Sequence, residues 1–146
     1  MNNFMGFIQN KYIYIPLLLW FCIQLFKVLY DLATTKKFNF KRIMGAGGMP
    51  SSHSAIVTVL ATMIGKNEGV DTSIFAVSLI LALVVMYDAC GVRRAAGKQA
   101  ALLNKIIETP GLTGVQVSER LVEVLGHTPV QVFVGALLGV VVGLVA

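Results

Sequence analysis

Two histidines, the only ones in the chain, each lie beside glycine and proline at the start of an apolar segment. His53 belongs to segment 47–55, with the sequence GGMPSSHSA, and His127 to segment 126–129, with the sequence GHTP. Glycine lets backbone N–H groups come close to a ligand, and the unpaired N–H groups of a helix N-terminus attract anions. Because histidine transfers protons near neutral pH, the two segments predict one shared site that binds a phosphate.

The residues around each histidine leave two interpretations open. Ser51 and Ser52 add hydroxyl donors for phosphate oxygens, and His53 suits protonation of a leaving oxygen; the alternative is a serine N-cap beside an interfacial histidine. The glycine-rich lead-in and the second histidine favour the phosphate site. His127 is the candidate nucleophile, through a phosphohistidine, and its alternative role is that of a helix-capping histidine.

A carboxylate and a guanidinium follow the third apolar segment. Asp88 lies at the end of that segment, where an unpaired charge is unfavourable, and Arg93 comes a few residues later. A guanidinium binds phosphate in a fork geometry, so Arg93 is a candidate phosphate ligand and Asp88 a candidate to orient a histidine or an arginine. The alternative is a structural ion pair.

The composition is that of an integral membrane protein. The 146 residues are 56% hydrophobic and 13% charged, against about 25% charged in soluble domains, and form a single domain, 1–146. The net charge of +5 comes from basic residues between apolar segments, without the basic and aromatic pattern of a nucleic-acid surface. Cys22 and Cys90 form no CxxC pair and are expected to pack.

Four apolar segments, about 12–30, 54–65, 72–87 and 129–146, predict an all-α bundle of about four transmembrane helices. A fifth segment, 94–107, predicts an amphipathic interfacial helix. The first segment lacks a small-residue cleavage site and is expected to be a retained anchor. Both basic loops fall on one face with the two histidine motifs, and the positive-inside rule places that face in the cytoplasm of a cell membrane.

These motifs together resemble a known family of phosphatases. The sequence PSSH at 50–53 resembles the PSGH motif of type 2 phosphatidic acid phosphatases and vanadium haloperoxidases. With MYDA at 86–89, GVR at 91–93 and GHTP at 126–129, the chain is similar to the divergent, small branch of that superfamily. The resemblance extends from about residue 24 to residue 139.

The resemblance implies a metal-independent phosphatase that needs no cofactor and acts on a lipid or isoprenoid phosphate. It implies that His127 attacks phosphorus, that His53 protonates the leaving alkoxide, and that basic and hydroxyl side chains hold the phosphoryl oxygens. Lys41 and Arg42 lie in the region of the family's first basic motif, although at a different spacing.

The chain departs from the family pattern at the partner of the nucleophile. Gln131 stands where the family has aspartate, and it can orient an imidazole but cannot stabilise an imidazolium as a carboxylate does. Asp88 and Glu123 are the candidates for the missing carboxylate. The alternatives are therefore a non-catalytic protein that binds or transports a phospholipid or phosphate, a metal site, and a structural membrane subunit.

The last apolar segment carries glycines at four-residue intervals, Gly135, Gly139 and Gly143. Rows of small residues at this spacing are typical of helix-packing faces in membranes. Four helices are fewer than the superfamily usually has. The sequence therefore predicts a homodimer through this glycine row, which would complete the bundle.

Overall fold

The computed structural model describes residues 3–36, 48–109, 121 and 126–146. In these residues the chain is helical and contains no strand, which confirms the all-α prediction. The helices are α1 Asn3–Gln9, α2 Lys11–Thr35, α3 Ser52–Glu68, α4 Ser73–Cys90, α5 Val92–Glu108 and α6 Pro129–Val145. The four predicted apolar segments correspond to α2, α3, α4 and α6, and the predicted amphipathic segment corresponds to α5.

The four long apolar helices begin at capping side chains, which explains where each one starts. Asn10, Ser51, Thr72 and Thr128 each accept a hydrogen bond from a backbone N–H in the first turn of the following helix. Such caps satisfy donors that have no partner inside the helix. Because α3 starts at Ser52 and continues to Glu68, it reaches a length that its apolar segment alone did not guarantee.

The centre of the bundle is α3, which packs against α2, α4 and α6. Small and polar residues such as Ser54, Ala55 and Thr58 are buried along it. Its threonines satisfy their hydroxyl groups within the bundle, since Thr58 donates to the carbonyl of Ser54 and Thr62 to that of Thr58. Small side chains let helix backbones approach closely, which explains why the least apolar of these helices is the innermost.

The outward faces of α2, α4 and α6 are apolar and exposed, and the largest exposed side chains include Leu18, Phe21, Ile80, Leu81 and Phe133. Soluble proteins rarely expose contiguous apolar patches of this kind. Among the described residues, Lys11–Thr35 and the continuous stretch Ser73–Glu108 are long and apolar enough to cross a bilayer, and Pro129–Val145 is a shorter apolar helix. The fold is a membrane helix bundle with its polar helix inside.

Contacts at the ends of the helices fix their directions. The Tyr12 hydroxyl donates to Glu68 at 2.7 Å, so α2 runs antiparallel to α3. Ser51 N–H donates to the carbonyl of Gln131 at 3.1 Å, and Lys66 donates to the carbonyl of Leu144 at 2.9 Å. Because α3 and α6 are therefore parallel, both histidine motifs lie at the same end of the bundle.

The glycine row of α6 packs against α3 of the same chain. A Cβ on Gly135 would collide with the carbonyl of Ser51, one on Gly139 with Thr58, and one on Gly143 would lie 2.7 Å from Thr62 Cβ. The predicted homodimer through this row is therefore wrong, since α3 already occupies the face. The spacing of the glycines indicated a close helix contact but carried no information on which helix would supply the other side.

Candidate functional site

The two histidines lie side by side, although they are far apart in sequence. Their ring centroids are 5.9 Å apart and their planes meet at 77°. His53 lies in the first turn of α3 and is half-buried, whereas His127 precedes α6 and is only 2% exposed. The parallel arrangement of α3 and α6 brings both motifs to one point, as the shared-site prediction required.

The end of α4 positions His127. Its backbone N–H donates to the carbonyl of Ala89 at 2.8 Å. The preceding Gly126 has a φ of +85° and lies against the backbone of Arg93 and Arg94, where a Cβ would collide. Glycine is required here for both reasons, so the pair Gly126–His127 is held on the junction between α4 and α5.

Gln131 does not act on the imidazole as predicted. Its side-chain oxygen accepts from the Thr128 N–H at 3.0 Å, while its own N–H donates to the Thr128 hydroxyl at 3.3 Å. This reciprocal pair is a capping box that starts α6. Within the described segments, neither ring nitrogen of His127 has a hydrogen-bond partner. The prediction that Gln131 orients His127 is therefore wrong in this conformation.

The surroundings of His127 keep its ring neutral. Burial lowers its pKa from 6.5 to about 4, and the positive charges of Lys27 and Arg93 and the neighbouring His53 act in the same direction. At neutral pH the ring therefore retains a lone pair. A neutral imidazole with an unpaired ring nitrogen is the form of histidine that attacks phosphorus.

The serines of the first motif are buried and mainly structural. The Ser51 hydroxyl accepts from the Ser54 N–H at 3.3 Å and from the Ser54 hydroxyl at 3.0 Å, so Ser51 is the N-cap of α3. The first intrahelical bond runs from the Ala55 N–H to the Ser51 carbonyl. The N–H groups of Ser52 and His53 precede that bond, and such groups favour an anion.

Asp88 and Arg93 form an ion pair beside the histidines. Arg93 Nε lies 2.7 Å from Asp88 Oδ2, and both side chains are partly exposed. Arg93 interacts electrostatically with both imidazoles, and Asp88 with His53. The structure thus brings together four of the predicted residues, His53, His127, Asp88 and Arg93. Lys41, Arg42 and Glu123 lie outside the described residues.

Lys27 is a site residue that the sequence interpretation missed. Because Tyr12 is level with Glu68 in the antiparallel pair, Lys27, fifteen residues after Tyr12, is level with His53, fifteen residues before Glu68. Its charge acts on both imidazoles. The signal was present in the sequence, since an ionisable residue inside an apolar span usually faces the bundle interior and has a function.

A cavity of about 600 Å³ adjoins the histidine pair between α2, segment 48–50 and α6. We call it the α2–α6 cavity. It is lined by Phe26, Lys27, Tyr30, Asp31, Thr34, Gly48, Met49, Pro50 and Val134. Its volume is in the range of about 300–1,000 Å³ that is usual for small-molecule sites. In the part of the chain that the structure describes, no group of three His, Cys, Asp or Glu residues is arranged to hold a metal ion.

Comparisons with known proteins cover almost the whole chain. A model of the Divergent PAP2 family matches residues 8–142. The uncharacterized membrane protein YuiD of Bacillus subtilis strain 168 is 40% identical over 133 residues, and the alignment covers 84% of each protein. No solved structure matches the chain. The matched region includes all the residues that form the histidine site.

Proposed function

The chain belongs to the Divergent PAP2 family, and from this we propose that it is a membrane-embedded phosphatase that hydrolyses a phosphomonoester of a lipid or isoprenoid. One observation carries the proposal: a buried, neutral His127 lies against the half-buried His53. Two imidazoles in contact at the mouth of two parallel helices have the chemistry of a nucleophile and an acid for one phosphoryl group.

In the proposed reaction a ring nitrogen of His127 attacks phosphorus. An N–P bond forms as the bond from phosphorus to the ester oxygen breaks, and His53 donates a proton to the leaving alkoxide. In the second step His53 accepts a proton from water, the water oxygen attacks phosphorus, and the N–P bond breaks to release phosphate. Proton transfer by a positioned side chain contributes about 10²–10⁴-fold to such reactions.

The surrounding donors support the binding of the phosphoryl oxygens. Arg93 and Lys27 bring positive charge to the histidine pair, and the N–H groups of Ser52 and His53 add donors at the start of α3. Charge on the equatorial oxygens of a transferred phosphoryl group is stabilised by such groups. We extend the proposal to Lys41 and Arg42, which the sequence places in the loop that enters this end of the bundle.

The basic loops also support an orientation in the membrane. The loop between α2 and α3 and the loop between α5 and α6 leave the bundle at the histidine end. Cytoplasmic loops of membrane proteins carry an excess of lysine and arginine. The proposal therefore places the site at the cytoplasmic face of the cell membrane.

A specific observation favours a second function, in which the site binds a phosphate or phospholipid without turnover. Gln131 occupies the position of the family's aspartate and is engaged in the cap of α6. In the described residues no carboxylate contacts the His127 ring. Loss of a carboxylate beside a catalytic histidine lowers kcat by about 10⁴ in serine proteases, so binding can persist where catalysis is too slow to matter.

Phosphate release in liposomes distinguishes the two functions. Purified wild-type protein is incubated with lipid and isoprenoid phosphates, with His127→Gln and His53→Gln as matched variants. The phosphatase proposal predicts release by wild type and loss in both variants. Release that persists in the variants would refute the proposed roles, and binding of a lipid phosphate without release would support the second function.

A further inference from the structure

We infer that the α2–α6 cavity holds the first part of the hydrocarbon chain of a lipid phosphate, with Lys27 at the point where the chain meets the phosphate. This inference rests on the proposed function and narrows its substrate. The substrate class is a phosphomonoester with a long hydrocarbon chain, in preference to a small water-soluble ester.

The cavity is continuous with the histidine site. Gly48, Met49 and Pro50 form one of its walls and lead directly into Ser51 and the first turn of α3. A molecule whose phosphate lies at the histidine pair therefore has the cavity as its neighbouring space. The same wall separates the cavity from the buried serines, so the chain of the substrate has its own compartment beside the phosphate.

The other walls are apolar and open toward the lipid. Phe26 and Tyr30 lie one turn apart on α2, and Val134 faces them from α6. Phe26 and Met49 are more than half exposed or close to it, at 55% and 50%, on a bundle whose outer surface is in contact with hydrocarbon. A chain can therefore enter sideways from the bilayer without passing through water.

Lys27 marks the polar limit of the cavity. Its methylene carbons lie near Gly48, where a Cβ would be 3.8 Å from Lys27 Cδ, and its charge acts on both histidines. A lysine with an apolar stem and a charged end suits the junction between a chain and a phosphate. The ammonium attracts the phosphate while the stem extends the apolar wall.

The polarity of the lining changes along α2 in the direction expected for an amphiphile. Asp31 and Thr34 lie toward the C-terminal end of α2, near the membrane surface, whereas Phe26 lies furthest into the bundle. A carboxylate at Asp31 repels an anion, so the phosphate is favoured at Lys27 and the histidines. The chain then runs past Phe26 and Val134 into the bilayer.

The test fills the cavity and compares two esters that differ only in chain length. Val134→Trp places a large ring in the cavity, and Val141→Trp places the same ring on the exposed outer face of α6. Hydrolysis of hexadecyl phosphate and propyl phosphate is measured in detergent micelles. We expect Val134→Trp to lower kcat/KM for hexadecyl phosphate about tenfold, which is about 1.4 kcal/mol, and to leave propyl phosphate and the Val141→Trp variant nearly unchanged.

Two further measurements keep the inference testable. If Val134→Trp does not fold, Phe26→Ala removes an apolar wall at an exposed position and is expected to lower the preference for hexadecyl over propyl phosphate severalfold. If wild type hydrolyses neither ester, the proposed function fails, and binding of hexadecyl phosphonate is measured by thermal stabilisation. Stabilisation of wild type that is lost in Val134→Trp supports the cavity assignment without catalysis. An unchanged chain-length preference, or equal stabilisation of both proteins, overturns it.

Discussion

The closest helix contact in the bundle predicts a large effect from a single methyl group. At Gly139 a Cβ would collide with Thr58 Oγ1 and would lie 2.5 Å from the carbonyl oxygen of Ala55 and 2.9 Å from Val59 N. Two of these neighbours are backbone atoms of α3, which cannot move aside as a flexible side chain would. Gly139→Ala therefore forces α3 and α6 apart.

The expected destabilisation follows from opposing contributions. Alanine favours a helix over glycine by about 1 kcal/mol. Overpacking costs about 1–3 kcal/mol, and separation of the helices also breaks the 3.1 Å hydrogen bond from Thr58 to the Ala136 carbonyl, for about 1 kcal/mol more. We expect a net loss of about 1–3 kcal/mol, since the overlap involves backbone on both sides.

Thermal unfolding in detergent measures this loss. At roughly 2–4 °C per kcal/mol for a chain of this size, the melting temperature of Gly139→Ala is expected to fall by several degrees. Gly6→Ala is the matched control, because a Cβ at Gly6 meets nothing within 4 Å. A Gly139→Ala protein that melts at or above the wild-type temperature would refute the close α3–α6 contact.

Two further predictions concern the charges of the site. Since the pKa of His127 is about 4 in the fold and 6.5 in the unfolded chain, only the unfolded state takes up its proton between these values, and about 3 kcal/mol of stability is lost as pH falls from 6.5 to 4. Melting temperatures should therefore fall with pH more steeply for wild type than for His127→Gln, and equal slopes would contradict the burial of a neutral ring. The Asp88–Arg93 pair is 40% and 47% exposed, so a double-mutant cycle with Asp88→Asn and Arg93→Gln should give a coupling below about 1 kcal/mol in stability. Arg93→Gln should nevertheless lower kcat/KM at least about tenfold if Arg93 binds phosphate, which corresponds to about 1.4 kcal/mol, and an unchanged rate would leave the pair a purely structural role.

Hydropathy and charge predicted much of the architecture because both act at the level of whole segments. The apolar segments became α2, α3, α4 and α6, and the amphipathic segment became α5. The shared position of His53 and His127 followed from the number of crossings between them. These properties depend on the bilayer and on sequence periodicity, which require no knowledge of which side chains touch.

The details that were missed depend on specific contacts. The glycine row indicated a packed face, but the same spacing serves a contact within one chain or between two, and here α3 fills it. Thr128 and Gln131 have the spacing of a capping box, a local signal that outweighed the family-based role given to Gln131. Lys27 became part of the site only once the register of α2 against α3 was known.

Detection of a phosphoenzyme tests the central claim most directly. Wild-type protein is mixed with a radiolabelled lipid phosphate, quenched in alkali within the first turnover, and digested for mass spectrometry. The account predicts a phosphohistidine on His127 that is acid-labile, survives alkali, and is absent from His127→Gln. Phosphate release with no label on His127, or a label on another residue, would contradict the proposed mechanism.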